Sequence, residues 1–223
     1  MSERSATLLR RIGLFADLSD EDLAQVAEAA KVHTFARDER VFDEGDAADT
    51  MYVVASGKIN IVVTSAEGKD LILAVLGEGQ VFGEMGLLDS APRSASAITA
   101  TPAELISIAR DDFDELLENQ PGLSRKLLHI MAERLRRANS KMESLAYMDV
   151  AGRLARYFLD LARDHGQSLG NGWIVIRRPT HSDIAHSIGT SRETVSRVLN
   201  DFESQFGMVN KGRFTYIRES LLQ

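Results

Sequence analysis

The spacing of apolar residues changes twice along this chain of 223 residues. Residues 1–30 show helical spacing, and Ser19 precedes acidic residues as a helix N-cap does. From about Val32 to Ala109 apolar residues alternate with polar ones, and glycines separate the runs. No helical stretch is expected between these strands, which disfavours a βαβ fold. The pattern therefore predicts a small antiparallel sandwich or barrel.

A helical period returns after Arg110, and Pro121 marks the start of a long helix. Two explanations of its apolar stripe stay open from the pattern alone: packing on its own domain, or the seam of a parallel dimer. The break that follows predicts a domain boundary between Met148 and Asp149, with Asp149 capping the next helix. The stripe recurs at alternating steps of three and four residues and consists of Leu128, Met131, Leu135, Ala138, Met142 and Leu145.

Residues 180–202, THSDIAHSIGTSRETVSRVLNDF, predict two short helices joined by a tight turn. Thr180 and Asp183 fit a capping box, Gly189 can end the first helix in the left-handed conformation, and Ser191 can cap the second. Such a pair is a helix-turn-helix, whose second helix presents its early residues to the DNA major groove. Arginine suits a guanine edge and glutamate a cytosine edge, and the candidate base readers are Arg192, Glu193, Thr194 and Arg197.

Flanking segments complete this candidate DNA-binding region. Upstream, the pattern predicts a helix over 150–163, a polar loop over 164–172 and a strand over 173–178. Downstream, residues 207–217 predict a hairpin, or wing, with a turn at 211–213 whose Lys211 can reach phosphates. His181 is interpreted as a surface or phosphate-facing residue near the cap. The alternative without DNA is an ordinary helical hairpin with a solvated Arg/Glu face.

A second constellation joins Gly83, Glu84 and Met85 to Arg93 and Ser94 further along. Glycines let backbone N–H groups approach an anion, and a short helical turn there adds its positive end. Arg93 supplies a cationic fork for a phosphate, and Ser94 supplies a hydroxyl donor. The Glu84 carboxylate disfavours a phosphate but accepts well from a ribose hydroxyl. Together these groups suit a sugar phosphate.

Composition excludes several classes of protein. With 44% hydrophobic and 26% charged residues the chain is globular, and no apolar run is long enough to span a membrane. The absence of cysteine excludes disulfides, thiolate zinc sites and cysteine-held iron–sulfur clusters. The first residues lack the apolar core of a secretory signal, so a cytoplasmic protein is expected.

Charge is distributed unevenly along the chain. The net charge of −7 argues weakly against nucleic-acid binding, but residues 1–140 carry −9 and residues 141–223 carry +2. The acidic part can repel DNA while a local basic surface in the second part binds it.

Several segments, in order, closely resemble the cAMP receptor protein family, the Crp/Fnr superfamily of bacterial regulators. They are EGDAADTMYVVASGKINIV at 44–62, FGEMGLLDSAPRSASA at 82–97, MAERLRRANSKMESLAYMDVAGRLA at 131–155 and GTSRETVSRVL at 189–199. The resemblance implies an α+β fold with three parts. Residues 1–120 form a cyclic nucleotide-binding β-roll, which is antiparallel and jelly-roll-like. Residues 121–148 form a dimerisation helix and hinge, and residues 149–223 form a winged helix-turn-helix.

The resemblance also implies a function. It predicts a homodimer without enzymatic activity or cofactor, which takes cAMP as an allosteric ligand, one per subunit, in the β-roll. The dimer then binds duplex DNA at a pseudo-palindrome of TGTGA-type half-sites, and contacts RNA polymerase if it is an activator.

Roles for individual residues follow from the same resemblance. Glu84 takes the ribose 2′-hydroxyl, Arg93 and Ser94 take the cyclic phosphate, and Arg134 lies near the ligand, where it can pair with Glu84. The two positions that contact the base are Ala138 and Asn139 here. Asn139 can donate and accept, whereas Ala138 loses one expected hydrogen bond, worth roughly 0.5–1.5 kcal/mol. The identity of the nucleotide therefore stays open between cAMP, cGMP and cyclic di-GMP. A regulator that binds no ligand is a further alternative.

Two hypotheses from other classes of protein compete with this one. A nucleotide sensor that regulates a protein partner would lack salt-sensitive, sequence-selective binding to duplex DNA. A cupin-type enzyme needs clustered histidine and carboxylate metal ligands, and the strand region contains only His33. The absence of cysteine also excludes the iron–sulfur branch of the superfamily.

Overall fold

A computed structural model describes residues 9, 10, 12–68, 70–206 and 208–222, with side chains described outside 201–206. The chain divides into two compact units, Met1–Arg134 and Leu135–Gln223. None of the described helices is long and apolar enough to cross a bilayer.

Eight antiparallel strands form the body of the first unit. They are β1 (Lys31–Phe35), β2 (Arg40–Phe42), β3 (Thr50–Ser56), β4 (Ile59–Thr64), β5 (Asp70–Leu76), β6 (Val81–Phe82), β7 (Ser96–Thr99) and β8 (Ala103–Ala109). One sheet has the order β1-β8-β3-β6, and the other has the order β2-β7-β4-β5. Val54, Ile59, Phe82, Ala97 and Leu105 bring side chains of both sheets into one core. The predicted antiparallel sandwich is confirmed.

A short helix, α2 (Met85–Asp89), interrupts the strands between β6 and β7. The ligand motif predicted a short helical turn here, whereas the strand pattern predicted no helix. It ends at Ser90, which adopts a left-handed conformation with φ of 56°. A parallel crossover needs about a dozen residues or more, so a helix of this length leaves the antiparallel arrangement intact. The correction concerns the loop only, and it places the predicted ligand residues around a helical turn.

Helices among the described residues cover the outer face of the first sheet. They are α1 (Asp20–Ala29), α3 (Arg110–Asn119) and the beginning of α4 (Pro121–Tyr147). The hydroxyl of Ser19 accepts a hydrogen bond from the backbone N–H of Asp22 at 3.1 Å, which confirms the predicted N-cap. Buried side chains pack these helices on β3 and β8; among them are Leu23, Val26, Phe113, Leu123, Leu127, Met51, Val53, Ile106 and Ile108.

The long helix α4 changes its surroundings along its length. Leu127 is buried in the first core, and Met131 packs against it. Leu128, Leu135 and Met142 are instead 70%, 62% and 59% exposed. Leu127 and Met131 therefore pack on their own unit, as one of the two explanations held, while Leu128, Leu135 and Met142 keep more than half of their surface exposed.

The second unit joins helices to a small sheet. After α4 come α5 (Val150–His165), β9 (Gln167–Ser168), β10 (Trp173–Arg177), α6 (His181–Ile188), α7 (Arg192–Phe206), β11 (Met208–Lys211), β12 (Phe214–Arg218) and a 3-10 turn, Glu219–Leu221. The sheet has the order β11-β12-β10-β9. Leu154, Phe158, Ile184, Val195 and Ile217 form the buried core.

Several predicted boundaries in this unit are corrected by a residue or two. Asp149 caps α5 through the N–H of Gly152 at 2.8 Å, but the helix continues to His165 rather than 163. The loop predicted over 164–172 contains β9, whose residues pair with β10. The strand ends at Arg177 instead of 178, and Lys211 is the last residue of β11 rather than part of the turn. Gly207, expected in the wing, lies outside the described residues.

Candidate functional site

Arg93 is the most firmly anchored side chain of the predicted ligand site. It is 5% exposed, and its two terminal nitrogens donate to the carbonyls of Gly83 and Thr50, each at 2.6 Å. Its guanidinium carbon lies 4.3 Å from the ring centroid of Phe42, in cation–π geometry. Burial lowers the pKa of Arg93, and Tyr52 and Asp49 oppose that change. Because an arginine stays protonated in proteins, the site holds a fixed cation.

The glycines of the motif are required by close packing. Gly83 has φ of +78°, and a Cβ there would lie 2.7 Å from Nη1 of Arg93. A Cβ at Gly86 would lie 2.3 Å from Cβ of Ala48 and 2.5 Å from the carbonyl oxygen of Ala91. The sequence argument gave these glycines an anion-facing role. The structure adds a second one, since any side chain would displace Arg93 or α2.

Glu84 is fully buried beside a second arginine. Its Oε1 accepts a hydrogen bond from Nη1 of Arg134 at 2.5 Å, and the other terminal nitrogen of Arg134 donates to the carbonyl of Val81. Burial raises the pKa of the Glu84 carboxyl, while the adjacent Arg134 charge opposes the rise. The Glu84–Arg134 pair implied by the family resemblance is therefore present.

Two buried polar atoms of this site have no hydrogen-bond partner among the described residues: Oε2 of Glu84 and Nε of Arg93. Such atoms are rare, because nearly all buried polar groups in proteins are paired. The carboxylate oxygen can accept from a sugar hydroxyl, and the N–H group can donate to a phosphate oxygen. The donor set therefore fits a sugar phosphate.

Ser94 and Met85 mark the exposed side of the site. Ser94 is exposed, and its hydroxyl lies 3.8 Å from Sδ of Met85, which is itself 48% exposed. Ala138 and Asn139, the predicted base contacts, are exposed residues of α4 that fall in the second compact unit. The structure places Arg134 beside Glu84, and the base contacts stay a prediction.

Sequence reasoning missed Arg110, which holds α2 in place. Its Nη2 donates to the carbonyls of Ala48 and Gly86 at 2.6 and 2.9 Å, and its Nη1 donates to that of Leu87 at 2.9 Å. It also missed Phe42 as the platform of Arg93. Neither carried a signal, because Arg110 only follows a strand and Phe42 has the alternation of any strand residue.

The helix-turn-helix forms as the sequence predicted. Thr180 and Asp183 make a reciprocal capping box on α6, and Gly189 ends that helix with φ of 67°. The hydroxyl of Ser191 accepts from the N–H of Thr194 at 3.2 Å and caps α7. Ile184 and Val195 are both fully buried where the two helices meet. The predicted motif is confirmed down to its caps.

The predicted base readers occupy one exposed region of α7. Arg192, Glu193 and Arg197 are exposed, whereas Thr194 is half-buried with its hydroxyl 3.0 Å from that of Ser191. Hydrogen bonds to its own backbone N–H and to Ser191 lower the pKa of Glu193. Glu193 therefore presents an ionised acceptor between two arginines, a set that can read guanine and cytosine edges.

The wing is tied to the segment that leads into α6. Lys211 and Phe214 face each other across the hairpin, and Lys211 and Arg213 are exposed. Nη2 of Arg178 donates to the carbonyl of Gly212 at 2.8 Å, and its backbone N–H donates to the carbonyl of Arg213 at 2.9 Å. Sequence analysis did not single out Arg178, although two consecutive arginines before Pro179 were a visible signal.

Comparisons with known proteins agree with both sites. The sequence model of the cyclic nucleotide-binding domain matches residues 32–120, and that of the Crp-like helix-turn-helix domain matches residues 152–223. The CRP-like cAMP-activated global transcriptional regulator of Mycobacterium tuberculosis is 33% identical over 213 residues, 96% of this chain and 95% of that protein. The cyclic AMP receptor protein of Thermus thermophilus is 35% identical over 210 residues, 94% of each chain.

A solved structure leads to the same group. The c-di-GMP responsive global regulator CLP of Xanthomonas campestris matches with a TM-score of 0.74 and 26% identity, over 90% of this chain and 99% of that one. Fold and sites thus define a class of regulators in which a cyclic nucleotide-binding domain precedes a DNA-binding helix-turn-helix. The chain belongs to the Crp/Fnr family of transcription regulators.

The contact between Phe42 and Arg93 gives a first prediction. Replacing Phe42 by Leu removes the cation–π contact, worth about 0.5–2 kcal/mol, so cyclic nucleotide affinity should fall roughly 2- to 30-fold in calorimetric titrations. Phe42→Tyr should restore it. The matched control is Phe35→Leu, because Phe35 packs on the same core without contacting Arg93. Equal losses of affinity in both leucine variants would contradict a specific role for Phe42.

Proposed function

We propose that this protein is a dimeric, cAMP-responsive transcription regulator that binds a pseudo-palindromic TGTGA-type site when the nucleotide is bound. The observation that carries the proposal is the buried pair of Glu84 and Arg93, with an acceptor and a donor that lack protein partners. In this proposal, residues 1–120 bind the nucleotide, 121–148 form the dimerisation helix and hinge, and 149–223 bind DNA.

The sugar and phosphate of the nucleotide are held by residues of the first unit. Arg93 and Ser94 bind the cyclic phosphate, and Oε2 of Glu84 accepts from the ribose 2′-hydroxyl while Arg134 balances its charge. Gly83 and Met85 shape the same turn. Ala138 and Asn139 meet the base, one residue from each subunit. Two relatives whose names specify cAMP support this nucleotide.

DNA is read by α7 and held by the groups around it. Arg192 and Arg197 bind guanine edges, Glu193 accepts from a cytosine, and Thr194 lies beside them. Phosphates are contacted from Thr180, Ser191 and Lys211. Two-fold symmetry places the half-site centres roughly 34–36 Å apart, about one turn of DNA.

A second copy of the chain covers the exposed stripe of α4. Leu135 and Met142 are large apolar side chains with more than half of their surface exposed, on a stripe with coiled-coil spacing. A parallel partner helix buries them and supplies the symmetry that a palindrome requires. RNA polymerase is a further partner if the protein activates transcription. As a DNA-binding regulator, the protein would act in the cytoplasm.

Nucleotide and DNA are coupled through the arrangement of the dimer. A nucleotide can favour the DNA-binding arrangement only if it binds that arrangement better than the others. Coupling of about 1–3 kcal/mol is typical.

Cyclic di-GMP is the second candidate ligand. It is favoured by the similarity to CLP of Xanthomonas campestris, a c-di-GMP responsive regulator, and by Ala138, which has no polar group for an adenine edge. The phosphate-binding residues serve either nucleotide, so the difference lies in the base pocket.

Direct titration tests the proposal. Calorimetry measures the binding of cAMP, cGMP and cyclic di-GMP to the nucleotide-stripped protein. Fluorescence anisotropy then measures its binding to a TGTGA palindrome and to a scrambled duplex. We expect one cAMP per subunit and tighter, salt-sensitive binding of the palindrome in its presence. Saturation by cyclic di-GMP alone would replace the ligand, and no preference for the palindrome under any condition would overturn the DNA site.

Two variants distinguish a side chain that reads a base from one that binds a phosphate. Arg192→Ala should cost roughly 1–3 kcal/mol on the palindrome and relax the preference at one base position. Lys211→Ala should weaken binding to all sequences alike and lower the salt dependence. Anisotropy against single-base variants of the palindrome distinguishes them. A uniform loss in Arg192→Ala would mean that Arg192 touches only phosphate.

A further inference from the structure

His181 joins the two helices of the helix-turn-helix. It is the first residue of α6, directly after the capping residue Thr180, and it is half-buried. Its Nδ1 lies 2.8 Å from the hydroxyl of Ser196, one turn beyond Arg192 on α7. This hydrogen bond uses one ring nitrogen, and the second nitrogen, Nε2, can hydrogen-bond a further partner.

The charged groups around the ring are mainly positive. Burial lowers the pKa of His181, and the charges of Arg178, which precedes α6, and Arg192, which begins α7, lower it further. Asp183, on the ring's own helix, is held in the capping box by Thr180. On α5, Tyr157 interacts with Ser187 and Asp183. The ring therefore sits in a cationic setting at a helix N-terminus, where a positive charge is disfavoured.

We propose that His181 is a DNA-backbone contact that takes up a proton when the duplex binds, so that DNA affinity increases as the pH falls. This inference rests on the proposed DNA-binding function. A DNA phosphate beside Arg178, Arg192 and the α6 N-terminus brings a negative charge close to the ring. This charge favours the protonated form of His181. The protonated ring then donates through both nitrogens, to Ser196 and to a phosphate oxygen.

The sign of the pH dependence follows from linkage. The free protein has a His181 pKa below its ordinary value of 6.5, and the DNA complex has a higher one. The gain in affinity is complete below the pKa of the free protein, and it is lost as the pH rises through the pKa of the complex. Within that window each half-site takes up at most about one proton, so affinity changes by at most roughly tenfold per pH unit per half-site.

The experiment measures DNA affinity from pH 5.5 to 8 for the full-length protein with saturating cAMP. Fluorescence anisotropy is recorded with a TGTGA palindrome and with a scrambled duplex at low salt, since a backbone contact acts on both. The wild type is compared with His181→Asn, which keeps an amide near the position of Nδ1, and with His181→Arg, which carries a permanent charge. His186→Gln on the same helix is the matched control, and thermal melting confirms that each variant is folded.

We expect the wild type and His186→Gln to show the same increase in affinity at low pH. His181→Asn should bind weakly with a flatter pH profile, and His181→Arg should bind tightly with an equally flat one. If His181 acted only through its structural contact with Ser196, the substitution would change DNA affinity but leave the slope of affinity against pH intact. An unchanged slope in folded His181→Asn would thus overturn the inference and leave the proposed function standing. Failure of the wild type to bind either duplex at any pH would overturn both.

Discussion

Arg93→Ala is expected to abolish nucleotide binding at concentrations that saturate the wild type. The buried guanidinium is held in place by the carbonyls of Gly83 and Thr50, so the substitution removes a fixed cation from the site. Removing one member of a buried, hydrogen-bonded charge pair costs about 2–5 kcal/mol, roughly a 30-fold to several-thousand-fold loss of affinity. Calorimetry with cAMP measures this loss, and anisotropy should show that the nucleotide no longer strengthens DNA binding.

Because the substitution also removes the hydrogen bonds that Arg93 donates to two carbonyls, stability must be measured alongside. Each unpaired buried acceptor costs roughly 1–3 kcal/mol, so thermal melting should show a destabilised protein. Arg93→Lys keeps the positive charge but lacks the planar guanidinium. It should therefore lose nucleotide affinity while its stability stays closer to that of the wild type. Ser94→Ala removes the other proposed phosphate contact at an exposed position, and it should lower affinity less than Arg93→Ala and leave stability unchanged. Intact cAMP-dependent DNA binding in folded Arg93→Ala would show that the nucleotide acts elsewhere.

Leu135→Glu is expected to separate the dimer into monomers. Leu135 is 62% exposed in one chain, and a partner helix would bury it in both copies. Losing two buried leucines costs about 3–6 kcal/mol per dimer, and two glutamates facing each other add repulsion. Analytical ultracentrifugation should show a monomer at concentrations where the wild type is a dimer. DNA affinity for the palindrome should fall to that of a single half-site.

A charge change outside the seam is the control for this variant. Arg136 is exposed on α4 and lies one position beyond Leu135, away from the apolar stripe. Arg136→Glu should therefore leave the sedimentation of the wild type unchanged. If Leu135→Glu also sediments as the wild type does, the stripe does not form the dimer interface.

Much of the architecture was determined by the sequence itself. The change from alternating to helical spacing predicted the sandwich, the helix from Pro121 and the helix-turn-helix, because these periods are local properties of strands and helices. Caps at Ser19, Thr180 and Asp149 were equally predictable, since each acts within three residues of its own position. The boundaries that failed, such as the loop over 164–172, depend on pairing with β10.

The sequence also identified Glu84 and Arg93, but only the tertiary structure decided how they are held. The carbonyl of Thr50 that anchors Arg93 is 43 positions away in sequence, and the Arg134 that pairs with Glu84 is 50 positions away. The same holds for the platform at Phe42 and for the contact of His181 with Ser196. Such partners depend on how strands and helices pack, and packing between distant segments leaves no periodic trace in the chain.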